Sequence, residues 1–151
     1  MDFVIDKGMK MHQRRGVLLL VDGEVARAER LAKRLAHLDY DIHVADNGAA
    51  GLLKAHELRP DVVISTVDMP ILDGYRMLAG LRSKPETHDI PVMLITEDSS
   101  QESIARGWTA GADLCIPRSQ GEVDVLATLH RALQSLCVGE HSHSWPAALV
   151  S

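Results

Sequence analysis

With 151 residues, 46% of them apolar and 25% charged, the chain has the length and composition of one globular domain, which excludes the disordered and fibrous classes. A formal net charge of −5 argues against a nucleic-acid partner, because proteins that bind the phosphate backbone carry concentrated basic surface. The two cysteines, Cys115 and Cys137, form no disulfide framework, and no apolar run approaches the roughly 20 residues that cross a bilayer, so we predict a cytoplasmic protein without a membrane partner.

From Gly16 onward, short β-branched runs alternate with amphipathic stretches of helical length. The first half contains, in order, a strand at 17–21, a helix at 24–38, a strand at 41–45, a helix at about 47–58 and a strand at 61–66. The first strand is apolar without alternation, as expected for a strand that is covered on both faces. Asn47 is predicted to cap the second helix, and Arg59-Pro60 to end it.

The second half continues this alternation. It contains, in order, a helix at about 75–83, a strand at 92–96, a helix at about 100–110, a strand at 113–116 and a helix at about 121–137. Residues 98–100 include the candidate caps of the fourth helix, and Gly111 is expected to end it. The pattern therefore consists of five strands and five helices.

Five strands that alternate with five helices predict an α/β domain with a doubly wound, five-stranded parallel sheet, because right-handed crossovers place helices on both faces. We expect the flavodoxin-like strand order 2-1-3-4-5, in which ligand chemistry gathers at the carboxyl ends of the first and third strands. The predicted organisation is a loose leader at 1–15, the domain at 16–138 and a tail at 139–151.

Five motifs stand in the order and spacing of a known family. They are LLLVD at 18–22, PDVVIST at 60–66, DMPILDG at 68–74, PVMLIT at 91–96 and AGAD at 110–113. In these motifs the chain resembles a bacterial response-regulator receiver domain (CheY-like) over about residues 17–136. The resemblance implies that an aspartate ending the third strand accepts a phosphoryl group from a histidine kinase. It also implies Mg²⁺, held by that aspartate and by an acid pair after the first strand.

The resemblance places Thr66 in the phosphoacceptor position. A threonine hydroxyl is not a nucleophile near neutral pH unless a base activates it, and it removes an anionic ligand from a Mg²⁺ site. We interpret Thr66 as an ordinary β-branched strand residue, and the alternative is a novel phosphothreonine site. Asp68, two residues further on, is a spare carboxylate that either replaces the missing charge or caps the loop.

The acid pair is reduced as well, because Asp22 remains and Gly23 occupies the second place. Mg²⁺ prefers near-octahedral oxygen ligation, so we expect no metal site beyond weak Mg²⁺ binding at Asp22, and no other cofactor. Glu24 is interpreted as a first-turn acid that stabilises the N-terminus of its helix. The alternative is that Glu24 replaces the missing second acid of the pair.

Thr96 matches the family's hydroxyl position, and Arg118 its lysine position. The planar fork of Arg118 suits a bidentate pair with Asp22, and a solvated surface arginine is the alternative. The family's cis proline follows its lysine, whereas Pro117 precedes Arg118. A cis bond after Arg118 would cost about 2.5–4 kcal/mol, so we expect this loop to depart from the family's geometry.

Two residues are candidates for an interaction surface on the fourth helix, fifth strand and fifth helix. Cys115 takes the place of the aromatic residue that the family usually carries on the fifth strand. Trp108, in the fourth helix, is either a core residue or an interface anchor. A homodimer through this surface is one expectation.

Together these residues predict a degenerate receiver, or pseudo-receiver, that is not an enzyme. It would act by phosphorylation-independent binding to a signalling protein, such as a histidine kinase or an output protein. Two alternatives stay open. One is a receiver phosphorylated at a non-standard acid, Asp68 or Asp22, and the other is a small-molecule sensor that uses the vacated pocket at the strand ends.

Overall fold

The computed structural model of the protein describes residues 3–5, 11–13 and 16–136. Its strands are, in chain order, β1 (Phe3–Ile5), β2 (Met11–Gln13), β3 (Gly16–Val21), β4 (Tyr40–Ala45), β5 (Val62–Thr66), β6 (Val92–Thr96) and β7 (Leu114–Pro117). In the segment predicted to be a loose leader, β1 and β2 pair with each other in antiparallel fashion. The predicted tail at 139–151 lies outside the described residues.

The other five strands form one parallel sheet in the order β4-β3-β5-β6-β7. Counted within this sheet, the order is 2-1-3-4-5, which confirms the predicted topology. Val21 lies opposite Ser65 where β3 pairs with β5, and Thr66 lies opposite Ile95 where β5 pairs with β6. The carboxyl ends of these three strands therefore meet at one end of the sheet, where the sequence predicts the site.

The helices are α1 (Val25–Leu35), α2 (Gly48–Leu58), α3 (Gly74–Arg82), α4 (Gln101–Ala110) and α5 (Glu122–Ser135). On one face of the sheet, α1 and α5 pack over Leu18 and Ile64, with Leu129 of α5 fully buried. On the other face, α2 and α3 cover Leu19, and Met77 of α3 is fully buried. Two-sided burial explains the apolar runs of the central strands. None of the helices in the described part of the chain is long and apolar enough to span a membrane.

The helix ends follow the predicted signals with small shifts. The side chains of Asn47 and Ser100 accept backbone hydrogen bonds and cap α2 and α4. Arg59 and Gly111 end the same helices in the left-handed conformation, with φ of 49° and 105°. Helix α1 ends at Leu35, three residues earlier than predicted, because residues 36–38 tighten into a 3-10 turn.

The loop after β7 departs from the geometry that the resemblance implies. β7 ends at Pro117, and Arg118–Gln120 form a 3-10 turn that leads through Gly121 into α5. All peptide bonds of the described residues are trans. Arg118 is therefore carried by a short turn that follows the strand end directly.

Candidate functional site

Four of the predicted site residues come together at the carboxyl ends of the sheet strands. Asp22 directly follows β3, Thr66 ends β5, Thr96 ends β6, and Arg118 follows β7. Asp22, Thr66 and Thr96 are only 3%, 5% and 2% exposed. Burying a polar group costs free energy unless it is hydrogen-bonded or paired, so the partners of these groups decide what the site can do.

Arg27, in the first turns of α1, binds both carboxylate oxygens of Asp22. Its Nε donates to Oδ2 at 2.7 Å, and its Nη2 donates to Oδ1 at 2.8 Å. The backbone N–H of Glu24 also donates to Oδ1, at 2.9 Å. Two-pronged ion pairs of this kind are among the strong hydrogen bonds of proteins. The hydrogen bond with Asp22 raises the pKa of the Arg27 guanidinium, although partial burial acts in the opposite direction.

Glu97, in the loop after β6, joins the two arginines of the site. Its Oε1 lies 2.5 Å from Nε of Arg118 and 3.6 Å from Nη1 of Arg27. Glu24 lies 3.3 Å from the same Nη1. The prediction that Arg118 pairs with Asp22 is therefore wrong, because Arg27 already binds both oxygens of Asp22 and Arg118 pairs with Glu97 instead. Arg118 is not a freely solvated arginine either, since its side chain is only 26% exposed.

The donor set at the strand ends does not fit Mg²⁺. Gly23 offers no carboxylate, and Thr66 offers a neutral hydroxyl in place of an anionic ligand. Asp22 already accepts three hydrogen bonds, two of them from the positive charge of Arg27. Within the part of the chain that the structure describes, no group of three His, Cys, Asp or Glu residues could hold a metal ion. The Arg27 guanidinium thus neutralises Asp22 without a metal.

The hydroxyl of Thr66 is buried and has no hydrogen-bond partner among the described residues. A buried hydroxyl without a partner costs about 1–3 kcal/mol. A close approach fixes the backbone around it, because a Cβ at Gly74 would lie 2.5 Å from the carbonyl oxygen of Thr66. Only glycine lets α3 begin this close to the end of β5. The unpaired hydroxyl is therefore held on a rigid strand end.

Gly23 and Asp68 add no side-chain contact to the buried cluster. A Cβ at Gly23 would lie 3.0 Å from Cδ of Pro70, so a side chain there would press on the loop after β5. Asp68 is exposed, and within residues 16–136 its carboxylate makes no hydrogen bond or ion pair. The interpretation of Asp68 as a loop cap is therefore not supported by any contact.

The hydroxyl of Thr96 is engaged in its own loop. It accepts a hydrogen bond from the backbone N–H of Asp98 and donates to the carbonyl of the same residue, both at 3.2 Å. The carboxylate of Asp98 accepts from the N–H of Ser100 and from the hydroxyl of Ser103, and these bonds lower its pKa. Thr96 therefore helps to fix the start of α4.

Sequence reasoning missed Arg27 and Glu97, the two residues that organise the ion pairs of the site. Arg27 lies five residues after Asp22, and Glu97 directly follows Thr96. The available signal was an opposite charge close in the chain to a predicted site residue. That signal is weak, because charged side chains are common in the first turn of a helix and in loops.

The predicted interaction residues lie on α4 and β7. Trp108 is 38% exposed, so part of its indole is accessible on α4. Cys115 is half-buried beneath α4, and a Cβ at Gly107 would lie 2.8 Å from its Sγ. Burial raises the pKa of the Cys115 thiol, which leaves it mostly protonated at neutral pH. A second exposed apolar side chain, Ile71, is 80% exposed in the loop before α3.

In a comparison with known protein families, residues 18–130 match the model of the response regulator receiver domain. The chain belongs to this family. The receiver is 34% identical to the response regulator MprA of Mycobacterium sp. (strain KMS) over 118 residues. This alignment covers 78% of this chain and 50% of that protein. It is 34% identical over 113 residues to the gliding motility regulatory protein of Myxococcus xanthus, covering 74% of this chain and 14% of that protein. The receiver thus spans half or less of these curated relatives.

Solved structures share the receiver fold. The chemotaxis response regulator CheY4 of Vibrio cholerae superposes with a TM-score of 0.69 at 27% identity, covering 76% of this chain and 96% of that one. The receiver domain of a signal transduction histidine kinase from Syntrophus aciditrophicus gives a TM-score of 0.70 at 30% identity, covering 83% and 95%. The protein is therefore a receiver domain of the two-component response-regulator type, and the predicted resemblance is confirmed at that level.

Proposed function

We propose that this receiver does not accept a phosphoryl group and acts by phosphorylation-independent binding to a signalling protein. The observation that carries the proposal is the pairing of Asp22 with Arg27 beside a strand end that holds Thr66 instead of an acid. The protein would then be a pseudo-receiver in the cytoplasm, and a binding module rather than an enzyme.

The chemistry of Thr66 supports this proposal. A threonine hydroxyl becomes a nucleophile only when an adjacent base removes its proton. The buried acid of the cluster is Asp22, whose two oxygens are occupied by Arg27 and by the N–H of Glu24. No carboxylate of the described cluster is therefore placed to activate the hydroxyl, and a phosphothreonine is not expected.

The ion pairs also favour a surface that does not switch with phosphorylation. Arg27 and Arg118 pair with Asp22, Glu24 and Glu97, so neither guanidinium depends on a phosphoryl group for a partner. The same pairs connect the start of α1, the loop after β6 and the turn after β7. A partner protein would therefore bind the same conformation of these three segments whether or not a phosphodonor is present.

The proposed partner is a histidine kinase or an output protein, because receivers of this family typically interact with such proteins. The surface formed by α4, β7 and α5 suits this role, since Trp108 is partly exposed on it and tryptophan is enriched among the residues that dominate binding. Arg106 stabilises the same helix, with its Cζ lying 4.3 Å from the ring centroid of Tyr75. A homodimer through this surface is a second form of the same proposal.

One alternative has an observation in its favour. Asp68 is exposed two residues after Thr66, and its carboxylate is not engaged by any partner in residues 16–136, so a phosphodonor could reach it. Asp22 lacks both properties, because it is buried and bound by Arg27. A receiver phosphorylated at a non-standard acid would therefore use Asp68.

The proposal predicts that a phosphodonor leaves the receiver unchanged. We expect the ¹H–¹⁵N NMR spectrum of the full chain to be the same with Mg²⁺ alone and with Mg²⁺ plus acetyl phosphate, at the amides of Thr66, Thr96 and Trp108 in particular. The control is a spectrum with acetate in place of acetyl phosphate. A second set of peaks that grows with acetyl phosphate and fades after its removal would contradict the proposal.

A further inference from the structure

We propose that the cavity between α1 and α5 binds a small carboxylic acid with an apolar body. This proposal goes beyond the interaction function above, because it assigns a small-molecule ligand to the space beside the strand-end cluster. The cavity begins at the strand-end cluster and has a volume of about 230 Å³. Ligand pockets run from roughly 300 to 1,000 Å³, so this cavity suits a ligand of on the order of ten non-hydrogen atoms.

The charged lining of the cavity favours an anion. Its charged residues are four arginines and two acids, namely Arg27, Arg30, Arg34, Arg118, Asp22 and Glu122. Arg27 and Arg118 are paired with acids of the strand-end cluster. Arg30 and Arg34 are exposed on α1 and make no ion pair within residues 16–136. The positive charge that the lining leaves unpaired among residues 16–136 is therefore that of Arg30 and Arg34, against one unpaired acid, Glu122.

The remaining wall of the cavity is apolar. It is formed by one residue from each of β3, β6 and α1 and by two from α5, namely Leu20, Ile95, Leu31, Val125 and Leu126. An inorganic anion would leave this wall uncovered, and an uncharged apolar molecule would leave Arg30 and Arg34 without a partner among residues 16–136. A carboxylate on an alkyl or aryl body matches both parts of the lining.

Thr66 supplies an independent observation that points to a ligand. Its side chain lines the cavity, and its buried hydroxyl has no hydrogen-bond partner among the described residues. A hydroxyl can donate one hydrogen bond to a carboxylate oxygen. We assign the carboxylate to the inner end of the cavity, beside the hydroxyl of Thr66, and the apolar body to the wall between α1 and α5.

The test is a titration of the full chain with octanoate, followed by ¹H–¹⁵N NMR. We expect a dissociation constant below about 1 mM, with shifts concentrated at Leu31, Thr66, Val125 and Leu126. Octan-1-ol and octylamine have the same length without the negative charge, and we expect them to bind at least about tenfold more weakly. Octanoate binding is expected to weaken as the salt concentration rises, because salt screens the arginines.

Two variants test the assigned contacts. Thr66→Val keeps the shape of the side chain and removes the hydroxyl, so octanoate should bind about tenfold more weakly while the melting temperature is unchanged or higher. Arg30→Gln combined with Arg34→Gln should weaken binding about threefold, as expected for exposed charges. Arg76→Gln, an exposed arginine on α3 at the opposite face of the sheet, is the matched control and should bind octanoate as the parent does.

Several outcomes would overturn the proposal. The absence of shifts at millimolar octanoate would remove the site altogether. Equal affinity for octan-1-ol would make the cavity a general apolar site, and equal affinity for inorganic phosphate would make it a general anion site. Undiminished octanoate binding by Thr66→Val would contradict the placement of the carboxylate, whatever the melting temperature of the variant.

Discussion

Replacing Arg27 with methionine is expected to lower the free energy of unfolding by about 2–3 kcal/mol, because the buried Asp22 carboxylate loses two charge-assisted hydrogen bonds. The full cost of breaking a buried pair is about 3–5 kcal/mol, and the partial exposure of Arg27 reduces it. The measurement is urea denaturation of the full chain, followed by circular dichroism.

The matched control for Arg27→Met is Arg30→Met, an exposed arginine three residues further along α1. We expect this control to change the stability by less than about 0.5 kcal/mol. Adding Asp22→Asn to Arg27→Met should recover part of the loss, because the second change removes the unpaired charge. If Arg27→Met unfolds at the same urea concentration as Arg30→Met, the pair does not hold the site in the way described above.

The second large effect is expected at Arg82, at the end of α3. Its guanidinium donates to the carbonyl oxygens of His88, Ile90 and Gly111 and to the carboxylate of Asp113. It therefore ties α3 to the segments that lead into β6 and β7. Arg82→Met removes these four hydrogen bonds, three of them partly buried, so we expect a loss of about 3 kcal/mol in the free energy of unfolding.

Arg82→Lys distinguishes the stabilisation that comes from the positive charge from that which comes from the planar guanidinium geometry. A lysine ammonium keeps the charge but cannot reach the same set of acceptors as a planar guanidinium, so we expect more than half of the loss to remain. Arg76→Met, on the exposed side of α3, is the control and should unfold like the parent in urea. Full stability of Arg82→Lys would show that charge alone is sufficient at this position.

The fold could be predicted because its signals are local and agree with one another. The apolar run of β3, the cap at Asn47 and the glycine at Gly111 each specify a strand or a helix end from adjacent residues alone. Alternation of five strands and five helices then leaves few topologies, since crossovers are right-handed. The prediction was less accurate at the end of α1, where a 3-10 turn replaces the last helical turn.

The site could be predicted only in part. The positions of Asp22, Thr66 and Thr96 follow from the strand ends, because parallel strands bring their carboxyl ends together. The ion pairs could not be predicted in this way. A long arginine side chain can reach several acids, and the sequence does not show which acid it binds. Arg118 therefore pairs with Glu97 and not with Asp22, which is bound by Arg27. These choices depend on the orientation of α1 and of the two loops, which the sequence pattern does not determine.

The intact mass of the full chain after incubation with acetyl phosphate and Mg²⁺ tests most directly whether this receiver takes up a phosphoryl group. We expect an unmodified mass for the parent, and also for Asp68→Asn and Asp22→Asn. An adduct of about 80 Da, one added HPO₃ group, on most molecules of the parent would contradict it, and loss of that adduct in Asp68→Asn would identify Asp68 as the acceptor.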